Sequence, residues 1–326
     1  MRKISYREAI RETLWEAMEA DERVFTLGQD IEYGGVYGIT RGFYDRFGPN
    51  RVINTTLAET AITGAAMGAA LEGLRPIAEI QFADFITPAM DQIVNMIGKY
   101  HYRTHIPVPL VIRTPAGAIV TAHGSTGPLH SQSPEAWFAH APGLKIVVPS
   151  NAFDAKGLLF TAIDDPNPVL FFEQKRLYND KMDVPGGRYG IPFGQLRVAR
   201  TGLDLTVVTY GSMVPVVLNA VQQIAAHGIE TEVLDLRTLV PLDRQGIIKS
   251  VQKTGKVLIV HEANRTCGFG AEVAALISEY AFEYLDAPIR RLTPPDIPVP
   301  SARHLAEAYL PNVNDVIQAI QQLNRY

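Results

Sequence analysis

The chain has 326 residues, enough for two domains of ordinary size, each with its own core. Hydrophobic content of 47% and charged content of 20% are those of a globular enzyme, and a net charge of −4 gives no basic footprint for nucleic acid. The lone Cys267 excludes an intrachain disulfide and a multi-cysteine metal site and suits a reducing cytoplasm, and no stretch approaches the roughly 20 apolar residues of a membrane span.

The opening MRKISYREAIRETL lacks an apolar core of signal-peptide length and enters an amphipathic helix at once. Over 5–20, Ser5 and Glu8 have capping-box spacing, and Ile10, Leu14, Ala17 and Met18 share a face. "VFTLG" follows as a strand. Next come a helix over 59–72, a strand over 76–82, and a helix over 87–102 with Asp91, Asn95 and Lys99 on its wetter side. A strand over 108–113 leads into a long Gly-containing loop to Ser131, a short helix started by Ser133-Pro134, and the strand "LKIVVP". A helix over 151–163 and a strand over 168–173 close this half. Apolar strands separated by helices indicate a parallel sheet covered on both faces.

Between about 178 and 200 the pattern lapses into a polar stretch with Gly and Pro, which reads as a linker. A second alternation follows: "DLTVVTYG", helix 212–227, "ETEVLDLR", helix 242–253, "KVLIVHEA", helix 270–285 and "IRRLT". "RLTPPDIPVP", with four prolines, is an extended crossing segment, and short helices near 301–309 and 313–324 finish the chain. The expected organisation is a domain over 1–180, a linker over 181–200 and a domain over 201–326. No internal repeat or low-complexity tract is present.

Glu59 leads "LAETAITGAAMGAALEGL" (57–74), and no other charged side chain occurs before Glu72. Ala61, Gly64, Ala65, Gly68 and Ala69 recur at three- and four-residue steps, so one face lets a neighbour approach closely, and the helix is expected to be surrounded. Glu59 then either complements the helix macrodipole, worth ~0.3–1 kcal/mol, or is buried for a purpose. Phe82 and Phe85 bracket the end of strand 76–82, where ligand crevices of parallel sheets lie, either as core or as a ligand platform, and Asp84 is a candidate helix cap.

His130 sits in "GPLHSQSPEAWFAH", a loop of small polar residues directly before a helix. It is either a turn histidine or a general acid–base held over a cleft. His123 could line the same mouth, and His140 reads as structural. Gly268-Phe269-Gly270 lacks the third glycine of a dinucleotide fingerprint, since position 273 is Val, and reads as a tight strand-to-helix turn. No P-loop, H-E-x-x-H or G-x-S-x-G occurs. Asp164 and Asp165 in "AIDDPNPV" read as a helix-ending turn, where backbone carbonyls could hold a monovalent ion.

Together, "LAETAITGAAMGAA", "RPIAEIQFADFITPAMDQIVN", "HSQSPEAWFAHAPGLKIVVPS", "DAKGLLFTAIDDPNPVLFFE", "KRLY", "EVLDLRTLVPLD" and "GFGAEVAALI" resemble, in order, blocks of one family. It is that of the beta subunits of the thiamine-diphosphate-dependent decarboxylase component of 2-oxo acid dehydrogenases (pyruvate, branched-chain and acetoin enzymes). The resemblance runs nearly end to end. It implies two three-layer α/β domains with mainly parallel sheets, a pyrimidine-binding domain and a transketolase C-terminal-like domain.

By the same resemblance, Glu59 meets a ring nitrogen of the cofactor's aminopyrimidine, Phe85 stacks on that ring and Leu57 lines the pocket. His130 lies near the reacting carbon and assists substrate binding or proton delivery. Leu110, Ala162, Ile163, Asp165 and Asn167 match positions that hold a structural potassium ion, mainly by carbonyl oxygens. The G-D-G motif that marks the diphosphate and Mg²⁺ site occurs nowhere in this chain, and the family's alpha subunit carries it. The implied assembly is an α₂β₂ heterotetramer, inert as this chain alone, that passes its acyl group to lipoamide on the dihydrolipoyl acyltransferase component. The implied setting is the cytoplasm, with no membrane or nucleic-acid partner. "AIVTAHGSTGPLHSQS" is less Gly-rich than the usual form, and "KYHYRTHIPVPL" is shorter. The substrate stays open between pyruvate, a branched-chain 2-oxo acid and acetoin. A split transketolase-type or deoxyxylulose-phosphate-type half and a non-catalytic scaffold subunit are the competing readings.

Overall fold

Apolar runs alternating with helical stretches become parallel strands and covering helices in the computed structural model, which describes residues 1–326. The chain forms two units. One comprises Met1–Ala116 and Trp137–Phe193, the other Gly117–Ala136 and Gly194–Tyr326. The loop carrying His130 thus counts with the second unit, a grouping that no shift in composition marks.

In the first unit the strands lie in the order Lys145–Val147, Val169–Gln174, Val111–Ala116, Arg75–Glu79, Val24–Gln29, Val52–Thr55, all parallel. Val111–Ala116 and Val169–Gln174 are buried at every position, as central strands covered on both faces must be. The edge strand Val52–Thr55 buries only Val52, and its sequence shows no strand pattern for that reason. Helix Tyr6–Ala20 starts on the expected capping box: Ser5 Oγ accepts from the Glu8 N–H, while Glu8 accepts from the Ser5 N–H at 2.7 Å. Its face of Ile10, Leu14, Ala17 and Met18 is buried and packs on helix Ala152–Asp164.

Two segments differ from the sequence pattern. The expected helix over 87–102 is a 3-10 turn over Ala83–Ala89, a π-helical turn over Gln92–Ile97 and an α-helix over Gly98–Thr104. Pro88 lacks the N–H that an α-helix interior requires, so the chain tightens before it. The wet face is as expected: Lys99 donates to Asn95 and Asn95 to Asp91, each at 2.7 Å. The polar stretch after 178 contains two short strands. Lys181–Val184 pairs antiparallel with Arg2–Ser5, and Arg197–Arg200 pairs antiparallel with Thr231–Asp235.

The second unit holds a five-stranded sheet ordered Arg197–Arg200, Thr231–Asp235, Leu205–Thr209, Val257–Val260, Arg290–Leu292, parallel except at its first edge. Helix Met213–Ile224 packs on Val313–Asn324, and Arg244–Thr254 packs on Phe269–Tyr280.

At the carboxyl ends of three adjacent strands in the first unit, Arg113 is fully buried between Glu79 and Glu173. Its Nε donates to Glu173 at 2.5 Å, its Nη1 donates to Glu79, and the Tyr178 hydroxyl donates to Glu173 at 2.6 Å. Burial opposes the guanidinium charge, but Glu173 and then Glu79 outweigh it and raise the pKa. Burial also lifts the Glu79 carboxyl above its ordinary range, against the pull of Arg113. Removing the cation leaves two carboxylates without a counter-charge in a dry site. Arg113→Met is therefore expected to cost ~3–5 kcal/mol, read as a lower denaturation midpoint of the full chain. Adding Glu173→Met to that variant should return part of the loss.

Candidate active site

Helix Glu59–Leu71 buries Ile62, Thr63, Ala66, Met67 and Ala70 against the first unit. The opposite side, Thr60, Ala61, Ala65 and Gly68, faces solvent, and Leu57 is 69% exposed. The sequence called for this helix to be enclosed. In the single chain one long face is open, because small side chains present an almost flat surface that nothing in this unit covers. Glu59 is half-buried at the helix start, and its carboxylate takes no hydrogen bond or salt bridge from this chain. The preceding Ala58 supplies no side-chain cap.

The loop after strand Arg75–Glu79 is fixed to this helix start: Thr60 Oγ1 donates to the Pro88 carbonyl at 2.6 Å. In that loop Phe85 is half-buried, its ring edge-on to Phe82 at 5.7 Å, and Phe82 is edge-on to Tyr37 at 6.0 Å. Lys175, itself buried, places Nζ 5.0 Å from the Phe82 ring centroid. Asp84 lies buried inside the 3-10 turn rather than at its cap. Glu59 and Phe85 thus stand on two elements joined by one short hydrogen bond, at the strand ends where parallel sheets carry ligands. An uncommitted carboxylate and a pair of half-buried rings on adjoining elements are the polar and apolar parts that a ligand crevice needs.

Leu110, Ala162, Ile163, Asp165 and Asn167 gather where helix Ala152–Asp164 ends and strand Val169–Gln174 begins. Asp165 caps the helix, and its Oδ1 accepts from the Asn167 N–H at 2.8 Å, the helix-ending turn expected there. The Leu110 carbonyl accepts from the Val169 N–H at 2.9 Å. Two cations of the chain use the same oxygens: Arg75 donates to the Ile163 carbonyl at 2.6 Å, and Lys145 pairs with the Asp165 carboxylate. No group of three or more His, Cys, Asp or Glu side chains is placed to hold a metal ion.

In the second unit the loop Gly117–Ala136 carries His130, half-buried in a turn closed by its N–H to the Gly127 carbonyl at 3.4 Å. Its companion His123 is exposed, as is His140 in the first unit. Glu262 anchors the loop, accepting from the Ala118 N–H at 2.5 Å and from the Ser212 hydroxyl. Thr126 and Ser131 share a hydroxyl bond at 2.6 Å, and Gly117 N–H donates to the Gln132 carbonyl at 3.0 Å. Beside them lies a cavity of about 500 Å³, lined by Ser131, Gln132, Ser133, Glu262, Asn264 and Tyr309 among others.

Sequence reasoning passed over three groups here. Glu135 is fully buried, and burial, with a smaller push from Glu262, raises its pKa to about 8. His261 is buried, its pKa lowered to about 4 by burial, and its ring lies parallel to Tyr210 at 5.9 Å. Gly268 and Gly270 pack on that imidazole so closely that a Cβ would come within 2.7 and 2.6 Å of it, and the tight turn needs glycine for that reason. The only sequence signal was "HEA" ending an otherwise apolar strand, for His261 and Glu262, and Glu135 had none.

Residues 2–181 match the family described as the transketolase pyrimidine binding domain, and 194–316 the transketolase C-terminal domain. The chain is 47% identical to the 2-oxoisovalerate dehydrogenase subunit beta of Bacillus subtilis (strain 168), over all of both chains. It is 42% identical to the beta subunit of acetoin:2,6-dichlorophenolindophenol oxidoreductase of the same organism, covering 99% of this chain and 97% of the relative. It is also 42% identical to the pyruvate dehydrogenase E1 component subunit beta of Rickettsia felis, covering 99% of each. Among solved structures, a split gene transketolase described as an inactive beta4 tetramer aligns with a TM-score of 0.82 at 25% identity over 99% of each chain.

Glu135 also makes stability depend on pH. Its folded pKa lies above the unfolded value, so the folded chain holds the extra proton between about pH 4.5 and 8, and stability falls as pH rises through that window. Glu135→Gln should flatten the slope by up to about 1.4 kcal/mol per pH unit, seen as a variant whose thermal midpoint gains on the parent from pH 5 to pH 8.

Proposed function

We propose, for a chain that belongs to the transketolase-fold beta subunits of the 2-oxo acid dehydrogenases, that it supplies one half of a thiamine-diphosphate site. With an alpha subunit it carries out oxidative decarboxylation of a 2-oxo acid and reductive acylation of lipoamide. The observation that carries this reading is the uncommitted Glu59 carboxylate, half-buried at the start of a helix that Thr60 hydrogen-bonds to the loop carrying Phe82 and Phe85.

With the cofactor bound, Glu59 would hold a ring nitrogen of its aminopyrimidine, Phe85 would stack on that ring, and Leu57 would line the pocket. When bound, the cofactor supplies the electron sink that decarboxylation needs. The protein's part is to hold the ring so that the shared proton is not lost to water, since a carboxylate in a dry pocket has no competing hydrogen bonds. His130 stands in a loop of small residues pinned by Glu262, suited to assist substrate binding or to deliver a proton as the acyl group leaves.

The alpha subunit holds the diphosphate and its Mg²⁺, because this chain has no G-D-G motif. It also covers the open Ala61–Ala65–Gly68 face, in an α₂β₂ assembly that docks on a dihydrolipoyl acyltransferase. A potassium ion at the 162–167 turn would be held by the carbonyl oxygens of Leu110, Ala162 and Ile163 together with Asp165 and Asn167, sharing Ile163 with Arg75. Its role there is structural, tying a helix end to a strand start. The exposed Cys267 suits a reducing cytoplasm. Between pyruvate, branched-chain 2-oxo acids and acetoin, the pocket's apolar discrimination is worth only ~1–3 kcal/mol per methylene, and the alpha subunit shares in it.

The test is co-expression with the alpha subunit, followed by substrate-dependent reduction of an artificial electron acceptor with and without thiamine diphosphate and Mg²⁺. Turnover is expected only with both chains and the cofactor, and Glu59→Gln should lower kcat by about 10²-fold or more. A scaffold subunit would tolerate that substitution. Transfer of two-carbon units between sugar phosphates would instead mark a split transketolase.

A further inference from the structure

Arg7 and Arg11 stand four residues apart on helix Tyr6–Ala20, and so on one face. Each spends a single N–H on the neighbouring loop: Arg7 Nη1 donates to the Tyr37 carbonyl at 3.1 Å, and Arg11 Nη1 to the Ile39 carbonyl at 2.9 Å. Arg11 is further fixed with its guanidinium carbon 5.1 Å from the Phe43 ring centroid and 5.7 Å from that of Trp15. Arg41 comes from the same loop. All three line a cavity of about 190 Å³ whose other walls are Glu8, Tyr37 and Gly38. A Cβ at Gly38 would stand 3.7 Å from the Arg41 Nη2, so glycine there leaves the space before the guanidinium open.

No salt bridge joins a carboxylate to this group, although the charge of Arg7 reaches Glu8. Arg2, Arg23, Arg46, Arg113 and Arg188 all have salt-bridge partners, whereas Arg7, Arg11 and Arg41 have none. The one acid in the wall, Glu8, already accepts from both the N–H and the hydroxyl of Ser5 at 2.7 Å. Three cations against one anion leave the cavity with a charge of about +2. Like charges at i, i+4 destabilise a helix, so a third arginine beside the pair raises a cost that the single Glu8 offsets only in part. Burial lowers the Arg11 pKa, and the charge of Arg41 adds to that effect.

We propose that Arg7, Arg11 and Arg41 form a binding site for the phosphoryl group of a small molecule. Guanidinium forks match a phosphate's oxygens two at a time, and a dianion balances the excess charge. The space is below the roughly 300–1,000 Å³ of clefts that enclose drug-sized ligands, which fits a phosphoryl group on a short carbon frame and not a nucleotide. The site is separate from Glu59 and does not rest on the cofactor reading. It shares with that region only Tyr37, whose ring meets Phe82.

The test is isothermal titration of the full chain, and of its assembly with the alpha subunit, at constant ionic strength. The probes are inorganic phosphate and glycerol 1-phosphate. Saturable binding of one phosphate per chain is expected. Arg41→Gln, at an exposed position, and Arg11→Gln should each weaken it about tenfold, while Arg244→Gln on another helix should not. Preference for the monoester assigns a phosphorylated metabolite, and equal affinity assigns free phosphate. Absence of saturable binding, or binding indifferent to Arg41→Gln, would overturn the proposal. So would binding by the chain alone that disappears in the assembly, which would give the site to an acidic side chain of the partner.

Discussion

A guanidinium buried between two carboxylates sets the geometry on which the first unit's site depends. Arg113 ties the carboxyl ends of three neighbouring strands at the level where the chain leaves the sheet for the Phe82–Phe85 loop. A buried ion pair is seldom the most stabilising way to fill such a place. It is directional, however: two bonds from one planar group tie side chains of three strands whose register the backbone ladder already sets. Tyr178 adds a third bond, and its ring carries the order through Tyr37 to Phe82.

Local chemistry also explains why the site is open. A helix lined with Ala and Gly has little to bury and nothing to hydrogen-bond, so by itself it is a poor surface for water and a good one for close backbone approach. Glu59 stands at the mouth of that helix with its carboxylate unspent. A carboxylate so placed is costly to enclose unless a hydrogen-bonding partner arrives with the surface that covers it.

Much of this was legible before the coordinates. The α/β alternation, the Ser5–Glu8 capping box and the wet face of Asp91, Asn95 and Lys99 follow from period and spacing, which are local properties. Glu59 stands out because no other charge relieves its surroundings, while the roles proposed for it, Phe85 and His130 rest on family likeness. The strand Val52–Thr55 was missed because it buries one residue of four. The 87–102 segment was misread because apolar spacing cannot distinguish a continuous α-helix from a 3-10 turn followed by a π-turn. Glu135, His261 and Glu262 were silent for another reason. Burial of a polar group is decided by residues far away in the chain, and no local pattern reports it. The three arginines were likewise invisible, since Arg41 joins Arg7 and Arg11 only through the fold of the 30–43 loop.

The antiparallel pairing of Arg2–Ser5 with Lys181–Val184 has a consequence for the order of events on the ribosome. The strand Arg2–Ser5 has no strand partner until about 180 further residues have been added, roughly 10–40 s of synthesis at ordinary rates. During that interval the helix that follows can form on its own cap, but the tip before it hangs as an unpaired edge. This pairing of the first unit therefore closes late, and a slow or paused ribosome lengthens the time for which that edge is available to other chains.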